Sequence, residues 1–166
     1  MCYCPEQDPT ELANICRQQL SKEVLQEAFV PTYTQMKKYQ GEWHQEERAA
    51  FPEHIFLEAE DANALRLDIE KCYRSGKLSH QMIQQVVGLQ PEQEMFLRKV
   101  LGTEKHVELS KGYIKDGCTF VTQGPLQGNE NLICKIDRHK RLAKLEIPVG
   151  DGRQEMCAGL EIVSKN

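Results

Sequence analysis

Apolar residues recur at helical spacing in three segments of the first hundred residues. The first segment begins near Thr10 and the second near Asp61, and both residues are suited to be helix N-caps. The third begins at Pro91, a residue favoured in the first turn of a helix, and ends at Leu101. Three helices are therefore predicted. The apolar positions that define the first two are Leu12, Ile15, Cys16 and Leu20 in one and Leu65, Ile69 and Cys72 in the other.

Short apolar runs between these helices are typical of β-strands. They cover residues 1–4, 28–33 and 54–58, and the polar segment 37–48 around Gly41 predicts the tip of a hairpin. Helices and strands that alternate in this order favour the α+β class. We therefore expect an N-terminal α/β sandwich.

The pattern changes after Gly102, where the helical period disappears. Short runs of alternating apolar and polar residues follow, and glycines separate them. In the run 142–149, Leu145, Ile147 and Val149 share one face, as a half-buried strand requires. Strand-like runs at this close spacing predict a small β-barrel.

The distribution of charge separates the two halves of the chain. The protein has 166 residues and a net charge of -4, which argues against a generic nucleic-acid coat protein. The negative excess lies in residues 1–106, whereas residues 107–166 carry a slight positive excess. Much of the positive charge lies in a five-residue connection between two strand-like runs, Asp137–Arg141, which we call the basic turn. Because like charges repel, it is either a solvated turn or a site for an anionic partner.

Other candidate chemistry is sparse. The seven cysteines are scattered without zinc-ligand spacing, and we expect reduced thiols, with the cysteines on strands acting as small core residues. The spacing of the histidines predicts no catalytic triad, and neither a GxGxxG nor a P-loop motif occurs. We therefore expect no catalytic residue, no metal and no cofactor. No signal peptide and no apolar run of about 20 residues is present, so we expect a cytoplasmic protein without a membrane contact.

The C-terminal segment carries the most specific pattern. The run Ser110–Gly128 ends in the turn Gly-Pro-Leu-Gln-Gly, and the basic turn follows it between Lys135 and Leu142. This arrangement resembles a KOW motif of the NusG family of transcription elongation factors, and residues 159–163 resemble the closing strand of that domain. The resemblance covers about 55 residues.

Weaker similarities lie in the N-terminal half. Residues 51–56, Phe-Pro-Glu-His-Ile-Phe, are similar to a segment of the family's NGN domain, with Glu53 and His54 departing from its usual pattern. Residues 37–44 and 136–141 are most similar to the LoaP-like branch. Members of that branch are processive antitermination factors, so the resemblance implies the same role here.

The resemblance also implies an organisation into domains and a set of partners. Residues 1–103 would form an NGN-like domain that binds the clamp helices of RNA polymerase, 104–109 a linker, and 110–166 a five-stranded, SH3-like KOW barrel. The barrel would bind an RNA hairpin in the nascent transcript and suppress pausing and termination. Contact with non-template DNA is a further option, and we expect a monomer.

Site residues follow from the same resemblance together with charge and aromatic character. The expected RNA contacts are Lys111, Lys115, Lys135, Arg138, His139, Lys140, Arg141 and Lys144. The expected polymerase contacts are Tyr3, Phe29, Tyr33, Phe51 and Pro52. We expect at least half of the aromatic residues on these strands to lie in the core.

A second class of function stays open. The barrel would then bind a ribosomal protein or a termination factor, and the basic turn would only be solvated. Salt distinguishes the two, because RNA binding weakens steeply as salt rises and an apolar protein contact does not. An enzyme is disfavoured by the lack of a site, and a ribosomal structural protein by the pI near 5.8.

Overall fold

The computed structural model describes residues 1–165 and has mixed α+β class, with three helices and three sheets. The chain folds into two compact units. The first unit combines Met1–Val30 with Pro52–Leu89, and the second combines Pro31–Phe51 with the residues from Gln90 onward. This grouping differs from the boundary expected at 104–109, because the segments 31–51 and 90–103 join the C-terminal residues. The assignment of functions to residues 1–103 and 110–166 stays a prediction.

Within residues 1–165 the elements follow one another along the chain without a long structureless segment. In order they are β1 (Cys2–Tyr3), α1 (Pro9–Gln19), β2 (Glu27–Phe29), β3 (Thr32–Tyr39), β4 (Glu42–Ala49), β5 (His54–Glu58), α2 (Ala62–Arg74), β6 (Gln85–Val86), α3 (Pro91–Leu101), β7 (His106–Val107), β8 (Ser110–Lys115), β9 (Cys118–Gln123), a 3-10 turn (Glu130–Leu132), β10 (Ile133–Asp137), β11 (Leu142–Val149) and β12 (Gly152–Lys165).

The first unit is built on a four-stranded sheet with the order β2-β5-β1-β6, in which all neighbours are antiparallel. The apolar faces of α1 and α2 belong to one buried cluster with β1 and β5. Its members include the helix positions read from the sequence, Leu12, Cys16, Leu20, Leu65, Ile69 and Cys72. The predicted apolar stripes therefore face this core.

Local capping decides where the helices begin. The N-cap of α1 is Asp8 and not Thr10 as expected, and the Asp8 carboxylate accepts a hydrogen bond from the Glu11 amide at 2.9 Å. The reason is Pro9, which follows Asp8 and suits the first helical position because it lacks an N–H. Asp61 caps α2 as predicted. Among residues 1–165, no helix combines the length and the apolar character that crossing a membrane requires.

The second unit contains a long hairpin made by β3 and β4. The strands pair over eight positions, and the Gln40-Gly41 turn has positive φ at both residues, as tight hairpin turns require. The single strand expected at 28–33 is instead two strands, since Pro31 lacks an N–H and interrupts the pairing. The expected linker also contains a strand, β7, which pairs in parallel with β3.

A five-stranded sheet forms the rest of the second unit, together with α3. Its order is β10-β11-β12-β8-β9, with β10 and β9 at the two ends. The alternation read from the sequence is confirmed in β11, where Leu145, Ile147 and Val149 are buried and Glu146 is exposed. Closure of this sheet into a barrel stays a prediction.

The cysteines divide into two groups. Cys2, Cys4, Cys16, Cys72 and Cys157 are buried, whereas Cys118 on β9 and Cys134 on β10 are exposed. The expectation that strand cysteines are core residues is confirmed for Cys2 and Cys157 and is wrong for Cys118 and Cys134. Burial raises the pKa of Cys4 to about 11 and that of Cys16 to about 12, so both thiols stay protonated at neutral pH. They therefore act as apolar packing groups.

Candidate nucleic-acid interface

The basic turn is a defined structure. The Asp137 carboxylate accepts a hydrogen bond from the Lys140 amide at 3.0 Å, a side-chain contact that favours a tight turn. Arg141 completes the turn with a φ of 48°, which is uncommon for a residue other than glycine. Its carbonyl accepts from the Leu160 amide at 2.8 Å and so ties the turn to β12.

Arg141 differs from its neighbours because its side chain lies against the protein. The guanidinium carbon is 3.8 Å from the centre of the Trp43 ring, and Nη1 is 3.0 Å from a Glu161 carboxylate oxygen. Only 22% of the side chain is exposed. Arg141, expected to contact RNA, therefore lies against the protein, because an aromatic face and a carboxylate both stabilise the inward position.

Arg138, His139 and Lys140 face solvent, as expected. The Lys140 side chain is 68% exposed and lies 4.0 Å from the Asp137 carboxylate, the longest ion pair in this region. An exposed pair of this kind contributes little, so Lys140 is available to another anion. Three adjacent side chains of the turn can thus reach a partner.

Lys135 and Lys144 flank the turn on neighbouring strands. They are directly opposite each other in the β10–β11 register, where like charges repel. The Glu155 carboxylate lies 2.7 Å from the Lys144 ammonium, which relieves this repulsion and raises the pKa of Lys144. Lys135 is exposed, and it extends the positive surface from the turn along β10.

Lys111 and Lys115, both on β8, differ in how close they lie to the basic turn. Lys111 lies 3.8 Å from Glu161, the carboxylate that also holds Arg141, so it belongs to the edge of the same cluster. Ser110 of β8 pairs with Leu160, whose amide is hydrogen-bonded to Arg141 of the basic turn, so Ser110 lies next to the turn. Lys115 is at the other end of β8, five residues beyond Ser110. At about 3.3 Å per residue this is roughly 16 Å along the strand. The structure therefore does not bring Lys115 to the basic turn.

The Gly-Pro-Leu-Gln-Gly turn is anchored to β8. Gly124 has a φ of 98° and lies so close to Ser110 that a Cβ atom would be 2.7 Å from its Cα. Leu126 is buried, and its amide donates to the Ser110 hydroxyl at 3.2 Å. Gly124 and Gly128 both have positive φ, a conformation that glycine adopts without steric cost. This turn gives the sheet a fixed end rather than a mobile loop.

The aromatic residues expected at the polymerase contact separate into two groups. Tyr33 and Phe51 are buried, so their rings are not placed to meet a partner and the expectation of surface contact is corrected for both. Tyr3, Phe29 and Pro52, in the first unit, keep exposed surface. Tertiary packing decides which of these side chains is buried, and the sequence alone shows only that they are largely apolar.

Trp43 is the residue that sequence reasoning missed at the basic turn. It is not among the expected site residues, and the structure places it in contact with Arg141, almost a hundred residues later in the chain. The available sequence clue was a tryptophan in the mostly polar segment 37–48.

The arrangement suits recognition of a polyanion. It offers the planar guanidinium of Arg138 and the ammonium group of Lys140, with His139 between them. Contacts of Asp137 and Arg141 hold the turn in place. The chain matches no protein-family model, and no curated protein matches it either.

Proposed function

We propose that this chain is a NusG-type transcription elongation factor of the LoaP-like branch. Its N-terminal NGN-like domain binds the clamp helices of RNA polymerase, and its five-stranded sheet closes into a KOW barrel that binds an RNA hairpin. The protein makes and breaks no bond. It stabilises the elongating polymerase against pausing and termination.

One observation carries the RNA half of this proposal: Arg138, His139 and Lys140 lie exposed and adjacent on a turn whose backbone is held in place. A turn that is already ordered loses little backbone freedom when phosphates bind, so more of the interaction energy appears as affinity. Each phosphate that these side chains neutralise releases counterions and contributes a slope of roughly -0.7 to -0.9 in log K against log salt. The surrounding Lys135 and Lys111 widen the positive surface beyond the turn.

The polymerase half rests on the partly exposed apolar residues of the first unit, Tyr3, Phe29 and Pro52. Tyr3 lies beside His54, with ring centres 5.1 Å apart, and burial lowers the pKa of His54, which favours its neutral form at neutral pH. The exposed Glu53 lies between Pro52 and His54. A partly exposed apolar surface with an acidic neighbour fits a helix-in-groove contact with a protein. Two weak contacts on one chain reinforce each other through effective concentration.

Replacing Arg138 and Lys140 together by alanine tests the proposal. An RNA hairpin is first selected from a random pool with the full chain, and its affinity is then measured by fluorescence anisotropy over a range of salt. We expect the double variant to lose more than tenfold in affinity at low salt and to show a slope shallower by roughly 1.4 to 1.8, because two phosphate contacts are gone.

Lys115→Ala is the matched control, since Lys115 is an exposed cation of the same sheet that lies away from the turn. It should keep the affinity within about twofold, as expected for a surface charge outside the site. Equal losses in the control and the double variant would show diffuse attraction rather than a site at the turn. Failure of the selection to enrich any hairpin would leave the adaptor function as the better proposal.

A specific observation favours that adaptor function as the second candidate. Phe120 on β9 is 43% exposed and stacks on Tyr113 of β8 with ring centres 5.2 Å apart, and Val163 on β12 is also exposed. An exposed aromatic ring stacked on a half-buried one, on a sheet that also exposes an aliphatic residue, is typical of a protein contact.

Phe120→Ala tests the adaptor candidate. We expect it to weaken binding to a ribosomal protein or a termination factor by tenfold or more, as for an aromatic hot spot, with little dependence on salt. Isothermal titration against each protein measures the effect. Unchanged binding to a partner that the wild-type chain does bind would remove Phe120 from this role.

A further inference from the structure

We propose that the tip of the β3–β4 hairpin, residues Lys38–Trp43, is a second part of the RNA site, and that Trp43 stacks on an unpaired base of the RNA. This inference rests on the proposed function, because it assigns a further contact to the same ligand. It differs from that function in the residues it uses and in the part of the RNA they recognise.

Two aromatic side chains of the hairpin tip are exposed. Tyr39 is 44% and Trp43 36% exposed, although large aromatic side chains bury most of their surface in a folded protein. Tyr39 is held by stacking on His44, with ring centres 3.6 Å apart. The register places Trp43 opposite Lys38 and Tyr39 opposite Glu42, so the two rings lie on opposite faces of the hairpin. Trp43, on the face that meets Arg141, presents ordered aromatic surface, the property that a stacking platform needs.

Arg141 connects Trp43 to the basic turn. Its guanidinium lies against the Trp43 ring, and its backbone belongs to the turn that carries Arg138, His139 and Lys140. An RNA strand whose phosphates lie on those side chains therefore passes beside Trp43. Arg141 is a positioning residue here, since its guanidinium is already engaged by Trp43 and Glu161.

The charges around Trp43 favour an anionic ligand over a neutral one. Lys38 is directly opposite Trp43 in the hairpin register and is exposed. Two carboxylates are also near: Glu42 is exposed beside Tyr39 in the register, and Glu161 is already paired with Arg141 and Lys111. With Glu161 neutralised, the cations of the turn and Lys38 dominate over Glu42.

An unpaired base is the part of an RNA that fits an exposed indole. Bases inside an A-form stem are stacked on each other and present no free face, whereas bases in loops and bulges can be splayed out onto aromatic side chains. Stacking is tolerant of sequence, because every base has a flat aromatic face. The hairpin tip would therefore recognise unpaired bases, while the basic turn binds the phosphates of the RNA backbone.

Trp43 provides its own reporter, because it is the only tryptophan of the chain. Two probes are titrated into the full wild-type chain: an RNA hairpin with a loop of unpaired uridines, and the same stem as a blunt duplex. We expect the hairpin to quench the Trp43 emission and the duplex to leave it largely unchanged. Anisotropy of labelled RNA measures the binding of both probes independently of the emission.

Variants at Trp43 separate stacking from positioning. Trp43→Ala should weaken binding of the hairpin probe roughly tenfold, the loss expected for one stacked base, and leave the duplex probe within about twofold. Trp43→Phe keeps a flat ring and should recover most of the affinity. Met95→Ala, an exposed apolar residue on α3, is the control for a general surface effect.

The outcomes distinguish this inference from the proposed function. Binding of both probes without quenching, and with unchanged affinity in Trp43→Ala, would overturn the inference and leave the basic turn as the RNA site. Equal weakening of hairpin and duplex in Trp43→Ala would also overturn it, since Trp43 would then act only through the placement of Arg141. Absence of any RNA binding would overturn the inference together with the RNA function.

Discussion

Replacement of Phe51 by alanine is expected to lower the free energy of unfolding by about 3–5 kcal/mol, the range for removal of a buried phenylalanine ring. Phe51 is 0% exposed and is among the largest fully buried side chains of the protein. It follows β4 directly, next to Ala50, whose carbonyl accepts a hydrogen bond from the Cys157 amide at 2.8 Å. A cavity at Phe51 would therefore form where a backbone hydrogen bond joins the residue after β4 to β12.

Urea denaturation followed by circular dichroism measures this loss as a lower transition midpoint. Met95→Ala is the control, because Met95 is 66% exposed and its truncation should change the free energy of unfolding by no more than about 0.5 kcal/mol. A loss in Phe51→Ala that is as small as that of the control would mean that the ring is not a core element.

The same variant also tests the role that the sequence suggested for Phe51. Resemblance placed Phe51 at a polymerase contact, whereas burial leaves it no surface for one. Under conditions where Phe51→Ala is still folded, we expect its association with RNA polymerase to match that of the wild type in a pull-down. Weaker association of a fully folded variant would restore Phe51 to the contact surface.

Elements determined by local chemistry could be predicted from the sequence. The helix Pro91–Leu101 has its expected bounds, because proline, acidic residues and basic residues occupy the positions that each favours along a helix. The strands His54–Glu58 and Leu142–Val149 also have their expected bounds. In these cases the residues of the segment and its immediate neighbours are sufficient to predict its bounds.

Pairings between distant segments could not be predicted in the same way. The parallel pairing of β7 with β3 joins residues more than seventy positions apart, and His106 of β7 holds it through hydrogen bonds to Thr32 and Thr34 at 2.7 and 2.8 Å. The contact of Arg141 with Trp43 is equally remote. The periodicity of apolar residues and their structural propensities depend on one segment alone. They therefore predict neither the strand at 106–107 nor the inward orientation of the Arg141 side chain.

The positive charge of the basic turn could be predicted from the sequence, whereas the positions of the surrounding site residues could not. The clustering of Arg138, His139 and Lys140 is a property of adjacent residues, and their exposure agrees with expectation. Whether Lys115 reaches the cluster depends on strand order and register, and whether Tyr33 faces a partner depends on packing. Such properties belong to the tertiary structure.

Replacement of Gly159 by alanine is expected to destabilise the second unit by about 3 kcal/mol, at the upper end of the usual range for overpacking. Gly159 lies in β12, and a Cβ atom there would meet the carbonyl oxygen of Thr34 on β3 and approach Leu109 Cδ1 to 2.8 Å. The leucine side chain can move, but the Thr34 carbonyl is part of the β3 backbone. The methyl group therefore has to separate β12 from the β3–β4 hairpin.

Gly152→Ala is the matched control, because it adds the same methyl group to the same strand. Its Cβ would have Val149 O as nearest neighbour at 3.8 Å, an ordinary contact, and its φ is not in the left-handed region. Gly152→Ala should be neutral or stabilising by up to about 1 kcal/mol, since it restricts the unfolded chain. Urea denaturation of both variants gives the difference, and the Trp43 emission reports separately on the hairpin. Equal stability of the two variants would show that β12 and β3 do not approach each other this closely, and the contact between Trp43 and the basic turn would lose its structural basis.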